Sequence, residues 1–243
     1  MQMAPARLFL MLCLSMSITL PVSARTLTIA ISSADTLPLA QIENEQLRSG
    51  ILKDIGDAIG AYHQRKVVYL ATPRKRLQEV MESHSADLLC GSNPLWLSGK
   101  FNWSMPILDN TGLLASNARA KKPERLADLS GKAVGTISGY VYSEFSAAMG
   151  KQFIRDDAPN MTLNMRKFFF GRFDYVAVDE LSYLYALKQE KPKLKLNVPL
   201  ITSHFQFYCA VSPQSTLSVT QVNKAVAALQ NNGQLQAILR RYR

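Results

Sequence analysis

Two adjacent carboxylates, Asp179 and Glu180, are the residues of this 243-residue chain best placed to do chemistry. They close an alternating apolar stretch, FDYVAV at 173–178, that reads as a short strand. Gly171-Arg172 separates that strand from an aromatic-rich helical segment before it. A new helical pattern, LSYLYALKQ, begins directly after the carboxylates. A carboxylate at the carboxyl end of a parallel strand faces the crevice where α/β sheets bind ligands. There it receives an amine or hydroxyl donor, or works as a general acid–base. The competing reading is purely local: Asp179 caps the next helix and Glu180 favours its positive end. Other chemistries lack their residues. His63, His84 and His204 are isolated, and none has a metal-ligand partner one helical turn away. There is no G-x-S-x-G elbow, no phosphate loop and no C-x-x-C. Neither a metal nor a cofactor is expected.

The elements that must position these carboxylates alternate between strand and helix. Residues 27–32 (LTIAIS) alternate as a first strand, and 33–38 form a polar loop ending at Pro38. Gly50 precedes a helix whose apolar stripe is Ile51, Leu52, Ile55, Ala58, Ile59 and Tyr62. Residues 67–70 are a second strand. Pro73 opens a helix that turns Leu77, Val80 and Met81 inward, and 87–91 is a third strand. This βαβαβ order implies a parallel sheet covered by helices. A Trp-bearing loop follows at 93–104, then strands at 112–116 and 133–136. Ser138-Gly139-Tyr140 leads into a helix near 142–149. A strand at 153–155 and a helix at 164–171 complete a second α/β set. A basic, Pro-punctuated connection at 191–199 leads to a strand at 205–211 and two terminal helices, 217–230 and 233–241. The aromatic run Phe168-Phe169-Phe170 reads as core packing.

Residues 1–24 read as a cleavable export signal: Arg7, an apolar stretch at 8–20, then Pro-Val-Ser-Ala. Cys13 lacks the small residues that precede a lipid-bearing cysteine, so a soluble exported chain is expected rather than an anchored one. Formal charge is +10, or +9 without Arg7. The basic residues are scattered, with no aromatic-interleaved stripe, which argues against nucleic acid. In an exported protein this charge points to anionic ligands or surfaces. Cys90 and Cys209 each sit in an apolar, strand-like run. They are either a disulfide pair or two buried thiols.

The order of motifs resembles the periplasmic solute-binding proteins of the polar-amino-acid ABC-transporter type (extracellular solute-binding protein family 3). The resemblance rests on LTIAIS with Pro38, GILKDIGDAI, SADLLCGS, NWSMPI, GKAVGTISGY, GRFDYVAVDE, YCAVSP and VNKAVAALQNNGQLQAILRRY, in that order. It implies an α/β, two-lobed, type 2 periplasmic-binding-protein fold, each lobe a mostly parallel sheet flanked by helices. Lobe one is then discontinuous, 25–108 plus 205–243, and lobe two is 109–204. The ligand sits between lobes that close like a hinge. The resemblance also places the strands bearing Cys90 and Cys209 side by side, which favours the bridge.

It implies ligand contacts from Asp179 and from the loop Ser138-Gly139-Tyr140; Trp96, in a cleft-side loop, and Tyr140 and Asp35, by location, are further pocket candidates. Asp179 matches the acid that receives a ligand amino group. Trp96 either stacks on the ligand or packs the lobe core. The arginine that clamps a carboxylate in amino-acid binders is missing from GSNPLWLSGKFNWS. Arg76, from Pro73-Arg74-Lys75-Arg76, is the expected replacement; for Arg74 and Lys75 a solvent-facing basic turn is an equal reading. The function implied is capture of a small polar solute (amino-acid-like, an amine or a small anion) for an ABC permease or a membrane sensor, by a periplasmic monomer. Two alternatives stay open: a cyclohexadienyl-dehydratase-like lyase on the same fold, and an interaction module that binds no ligand.

Overall fold

The computed structural model describes residues 25–242. The expected export signal at 1–24 lies outside the described residues. Strand β1 (Thr26–Ser32) buries Leu27, Ile29, Ala30 and Ile31 together, as a strand covered on both faces does. A hairpin follows, β2 (Gln41–Glu43) and β3 (Gln46–Ser49). Its turn residues, Asn44 and Glu45, take φ of 49° and 61°. Sequence reading missed this hairpin because Asn-Glu lacks the glycine that usually marks such a turn.

Helix α1 (Ile51–Tyr62) starts behind Gly50, whose φ is 124°. A Cβ there would lie 2.4 Å from the Leu39 carbonyl oxygen, so the position requires glycine. Ile51, Leu52, Ile55 and Ile59 are buried as expected, but Tyr62 is exposed and its ring meets the edge of His63. Next come β4 (Lys66–Thr72), a 3-10 turn at Arg74–Arg76, α2 (Leu77–Glu82) and β5 (Leu88–Ser92). β4 and β5 flank β1, both parallel to it.

The middle of the chain supplies β6 (Asn102–Trp103), β7 (Leu108–Ser116), β8 (Ala133–Ile137), α3 (Ser143–Met149), β9 (Ile154–Ala158), α4 (Met161–Phe169), β10 (Tyr175–Asp179) and α5 (Glu180–Glu190). β8 lies between β9 and β10, parallel to both. The chain ends with β11 (Leu200–Val211), α6 (Val219–Asn231) and α7 (Gln234–Tyr242).

These strands form one nine-stranded sheet in the order β4-β1-β5-β11-β7-β10-β8-β9, with β6 on β11. Two parallel sets are therefore joined by the antiparallel strands β7 and β11. Both joining strands exceed the expected segments: β7 begins at Leu108 and β11 at Leu200. Their added residues, such as Asp109, Asn110, Ser203 and His204, show no apolar alternation. Ladder bonds between the two strands hold them extended.

The core is divided in the same way. Ile29, Ile55, Leu88, Phe207, Val226 and Ile238 pack together in the part built from the two chain ends. Leu113, Val176, Met165, Phe168 and Phe173 pack together in the middle part. Of the expected aromatic trio, Phe168 is buried and Phe170 is 84% exposed at the end of α4.

Cys90 and Cys209 face each other across β5 and β11 and form a disulfide. It ties residues 119 apart in sequence, for which loop closure alone gives about 5 kcal/mol. The double variant Cys90→Ala/Cys209→Ala should lose most of that in urea unfolding against the oxidised protein. An unchanged midpoint would mean that the bridge contributes nothing to stability.

Candidate functional site

A cavity of about 310 Å³ lies beside the β7–β11 junction. Residues from both parts of the chain wall it. Asp35, Leu39, Arg74 and Trp96 come from the first part, Tyr140, Glu144, Phe145 and Asp179 from the middle, and Gly112, Ser203, His204 and Phe205 from the joining strands.

Asp179 ends β10, caps the helix that follows and lines the cavity. Its Oδ1 accepts the Ser182 amide at 3.0 Å, which caps α5. The same oxygen accepts from Asn110 Nδ2 at 2.9 Å. Among the described residues nothing donates to Oδ2, which remains available to a donor in the cavity. Asn110 is buried on β7, and its own Oδ1 accepts the amides of Thr111 and Leu181. Glu180 is exposed and takes no part in the wall.

Asp35 sits in the loop after β1, where a turn back to Ser32 holds the backbone. Its Oδ1 accepts a 2.7 Å bond from the Tyr140 hydroxyl. This bond joins the first loop of the chain to the loop after β8. Burial raises the Asp35 carboxyl above its ordinary range, and the nearby Asp179 charge adds to that. Arg74 and the Tyr140 hydroxyl pull the other way without cancelling it. Burial, then the charge of Asp35, pushes the Tyr140 phenol well above its usual value, so Tyr140 is the donor.

Pro73, at φ −54°, launches the 3-10 turn that carries Arg74. The Arg74 guanidinium lies 4.8 Å from the Tyr140 ring centre and 6.0 Å from that of Trp96. Trp96 also meets Phe205 edge-on at 5.0 Å and Phe207 at 6.0 Å. It therefore both packs the core and faces the cavity.

The loop bearing Tyr140 is itself braced. Arg155 donates to the carbonyls of Ile137 and Tyr140, and the Tyr142 hydroxyl accepts the Ile137 amide. Gly139 has φ 80°, and a Cβ there would approach Lys75 Cγ to 3.2 Å.

The structure thus brings together Asp35, Trp96, Tyr140 and Asp179 of the expected set. Ser138 and Gly139 fall outside the wall. The Ser138 amide is spent on the Ala158 carbonyl, and that of Tyr140 on Ile137. Arg76 also lies outside. It is exposed and paired with Glu79 at 3.5 Å, one helical turn on. Arg74, for which solvent and cleft are equal readings of the sequence, lines the cavity. A 3-10 turn rotates successive side chains by about 120°, so a basic run cannot be resolved from sequence into inward and outward members. Asn110, Glu144 and His204 were also missed. Glu144 and His204 lie on elements whose cavity-facing side has no apolar pattern to reveal it, and Asn110 acts from β7 through its bond to Asp179.

The raised Asp35 carboxyl sets a pH dependence. The folded state holds that proton more tightly than the unfolded chain, whose reference value is 3.8. Stability from this group is full below 3.8 and declines as pH rises through the folded-state value. Urea unfolding of wild type against Asp35→Asn should show wild type losing ground as pH rises from 4 to 7. A difference that stays flat with pH would contradict this.

No protein-family model matches the sequence, and no curated protein matches it. Solved structures do. An ancestral arginine-binding protein bound to arginine aligns at TM-score 0.75 and 18% identity, covering 89% of this chain and 97% of that one. An ancestral amino-acid-binding protein, a precursor of cyclohexadienyl dehydratase, aligns at TM-score 0.73 and 16% identity, over 89% and 95% of the two chains. A histidine kinase sensor domain with similarity to periplasmic binding proteins aligns at TM-score 0.74 and 18% identity, over 90% and 96%. At such identities the likeness is one of architecture. Two mostly parallel α/β units, one of them built from both chain ends, are joined by a pair of crossing strands. The chain therefore has the two-lobed type 2 periplasmic-binding-protein fold.

Proposed function

We propose that this chain is an exported solute-binding protein that traps a small polar ligand between its two lobes. The observation that carries the reading is the shared cavity, which neither lobe could form alone. At about 310 Å³ it is at the small end of ligand pockets. Asp35, Glu144 and Asp179 line it against one guanidinium, in a chain of net charge +10. An acidic cavity in a basic protein favours a ligand that carries an amine or several hydroxyl donors. Asp179 is the residue we assign to that donor.

The lobes are taken as 25–108 with 205–243, and 109–204, and the chain as a periplasmic monomer released from its signal at 1–24. Closure would select the state that presents both lobes to an ABC permease or a membrane sensor.

A thermal-shift screen of residues 25–243 with amino acids, amines, sugars and small carboxylates tests the reading. At about 100 times its dissociation constant, a ligand adds roughly 2.7 kcal/mol, or about 5–10 °C for a chain of this size. Asp179→Asn keeps an acceptor for the α5 cap while removing the charge, so its own melting temperature should stay near wild type. Its ligand-induced shift should disappear for amine-bearing hits. A wild-type protein that no solute stabilises would sink the proposal.

A further inference from the structure

We propose that the lobe built from the middle of the chain carries, at its end remote from the cavity, a surface that docks on an anionic lipid bilayer. This inference is independent of what the cavity binds.

The cavity lies at the carboxyl ends of β8 and β10, where Tyr140 and Asp179 stand. At the opposite ends of those strands, loops and helix ends gather basic side chains. Tyr175 opens β10, and its hydroxyl donates to the Lys121 carbonyl at 3.0 Å. The Lys132 ammonium lies 5.5 Å from the centre of the same ring. The Gly131 amide donates to the Gln152 carbonyl at 3.0 Å, which brings Lys151 to this end as well. On the other side, Arg119 donates to the Gly171 carbonyl at 2.8 Å and pairs with Asp174 at 2.7 Å, next to Arg172. The Ala118 amide donates to the Lys195 carbonyl at 2.9 Å, so the basic connection after α5 runs over the same surface.

Most of this charge is uncompensated. Lys121, Lys122, Lys132 and Lys151 are exposed, and among the described residues none has a carboxylate at ion-pair distance. The same holds for Arg172, Lys191, Lys193 and Lys195. The acids nearby are already engaged: Asp174 by Arg119, Asp128 by Arg125 and Glu190 by Arg166. Glu124 is the exposed carboxylate here that lacks such a pair.

Two large apolar side chains stand among these cations. Phe170, just past α4, is 84% exposed, and Val198 is 74% exposed. Asn117 links their two segments, donating to Asp174 at 3.2 Å and accepting from Asn197 at 3.1 Å. A phenyl ring left in water by folding gains its transfer energy when it enters a headgroup layer. Lysines are point charges on flexible stems, and they follow a fluid layer of anions without needing one fixed carboxylate. Exposed apolar groups inside a field of unpaired lysines therefore match an anionic bilayer better than a partner protein with acids in set positions. Docked this way, the bilayer leaves the cavity, at the other end of β8 and β10, in water.

The test is co-flotation of residues 25–243 with vesicles of phosphatidylcholine alone and of phosphatidylcholine mixed with phosphatidylglycerol. Wild type should float with the mixed vesicles and not with phosphatidylcholine alone. Salt should release it, because the screening length falls to about 3 Å at 1 M. Each cation near a charged bilayer is worth on the order of fivefold in partition. Lys121→Gln/Lys122→Gln and Lys193→Gln/Lys195→Gln should therefore each weaken binding by about 10–30-fold. Phe170→Ser should weaken it by about tenfold and leave its salt dependence unchanged. All of these side chains are exposed, so melting temperatures should stay near wild type. Arg48→Gln/Lys224→Gln removes the same charge from two exposed positions on the other lobe and should leave binding near wild type.

Equal binding to both vesicle types overturns the assignment. A loss in Arg48→Gln/Lys224→Gln as large as in the lysine pairs also overturns it, since the effect is then one of net charge. Retention of poly-L-glutamate without binding to mixed vesicles overturns it too, and moves the partner to an acidic protein. The solute-binding reading stands under each of these outcomes.

Discussion

The antiparallel pairing of β7 with β11 is the constraint on which the rest of the molecule depends. Leu108 pairs with Phe207 at one end and Leu114 with Leu200 at the other, so each strand passes from one lobe to the next. β11 then continues along β5, and β7 along β10. Because both crossings are ladder-bonded strands, the two parallel sets belong to one continuous sheet, and loops from both sets wall the cavity. The cavity follows from that arrangement. The disulfide fixes β11 on its other side, since Cys209 on β11 is bonded to Cys90 on β5 one residue before the cavity-lining Gly91.

From this seam the site is built with few independent parts. Asp179 is held by helix capping and by Asn110, which belongs to the joining strand β7. A residue that stabilises a helix start is thereby also pre-oriented towards the cavity, at no added conformational cost. Across the cleft, Tyr140 contacts Asp35 with its hydroxyl and Arg74 with its ring. Together these contacts connect two loops of lobe one to one loop of lobe two. Charge inside the cavity opposes the charge of the whole chain, and that difference gives the site its selectivity in the proposed function.

How much of this was legible in the sequence depended on which signal each part carried. Helices α1 and α6 and strands β1 and β8 bury apolar residues in regular patterns, and residues 51–62 or 133–137 could be read directly. Asp179 was legible because a strand ending in a carboxylate before a helix has both a capping and a crevice meaning. The hairpin at Asn44-Glu45 was not, since left-handed turn residues without glycine leave no mark. The polar ends of β7 and β11 were not, because inter-strand bonds rather than apolar burial hold them. Arg76 is the residue the sequence favours for the cavity, yet Arg74, left open between solvent and cleft, is the one that lines it. In a run of Arg-Lys-Arg the choice is made by where Trp96 and Tyr140 come to rest, and both are distant in sequence.

In the proposed function a solute brings the two lobes together around the shared cavity. Small-angle X-ray scattering of residues 25–243, with and without a stabilising solute, tests it most directly. The radius of gyration should fall on addition of the solute, and Asp179→Asn should show no such change. A radius of gyration that stays constant while the solute is demonstrably bound would contradict closure, and with it the view that the cavity belongs to both lobes.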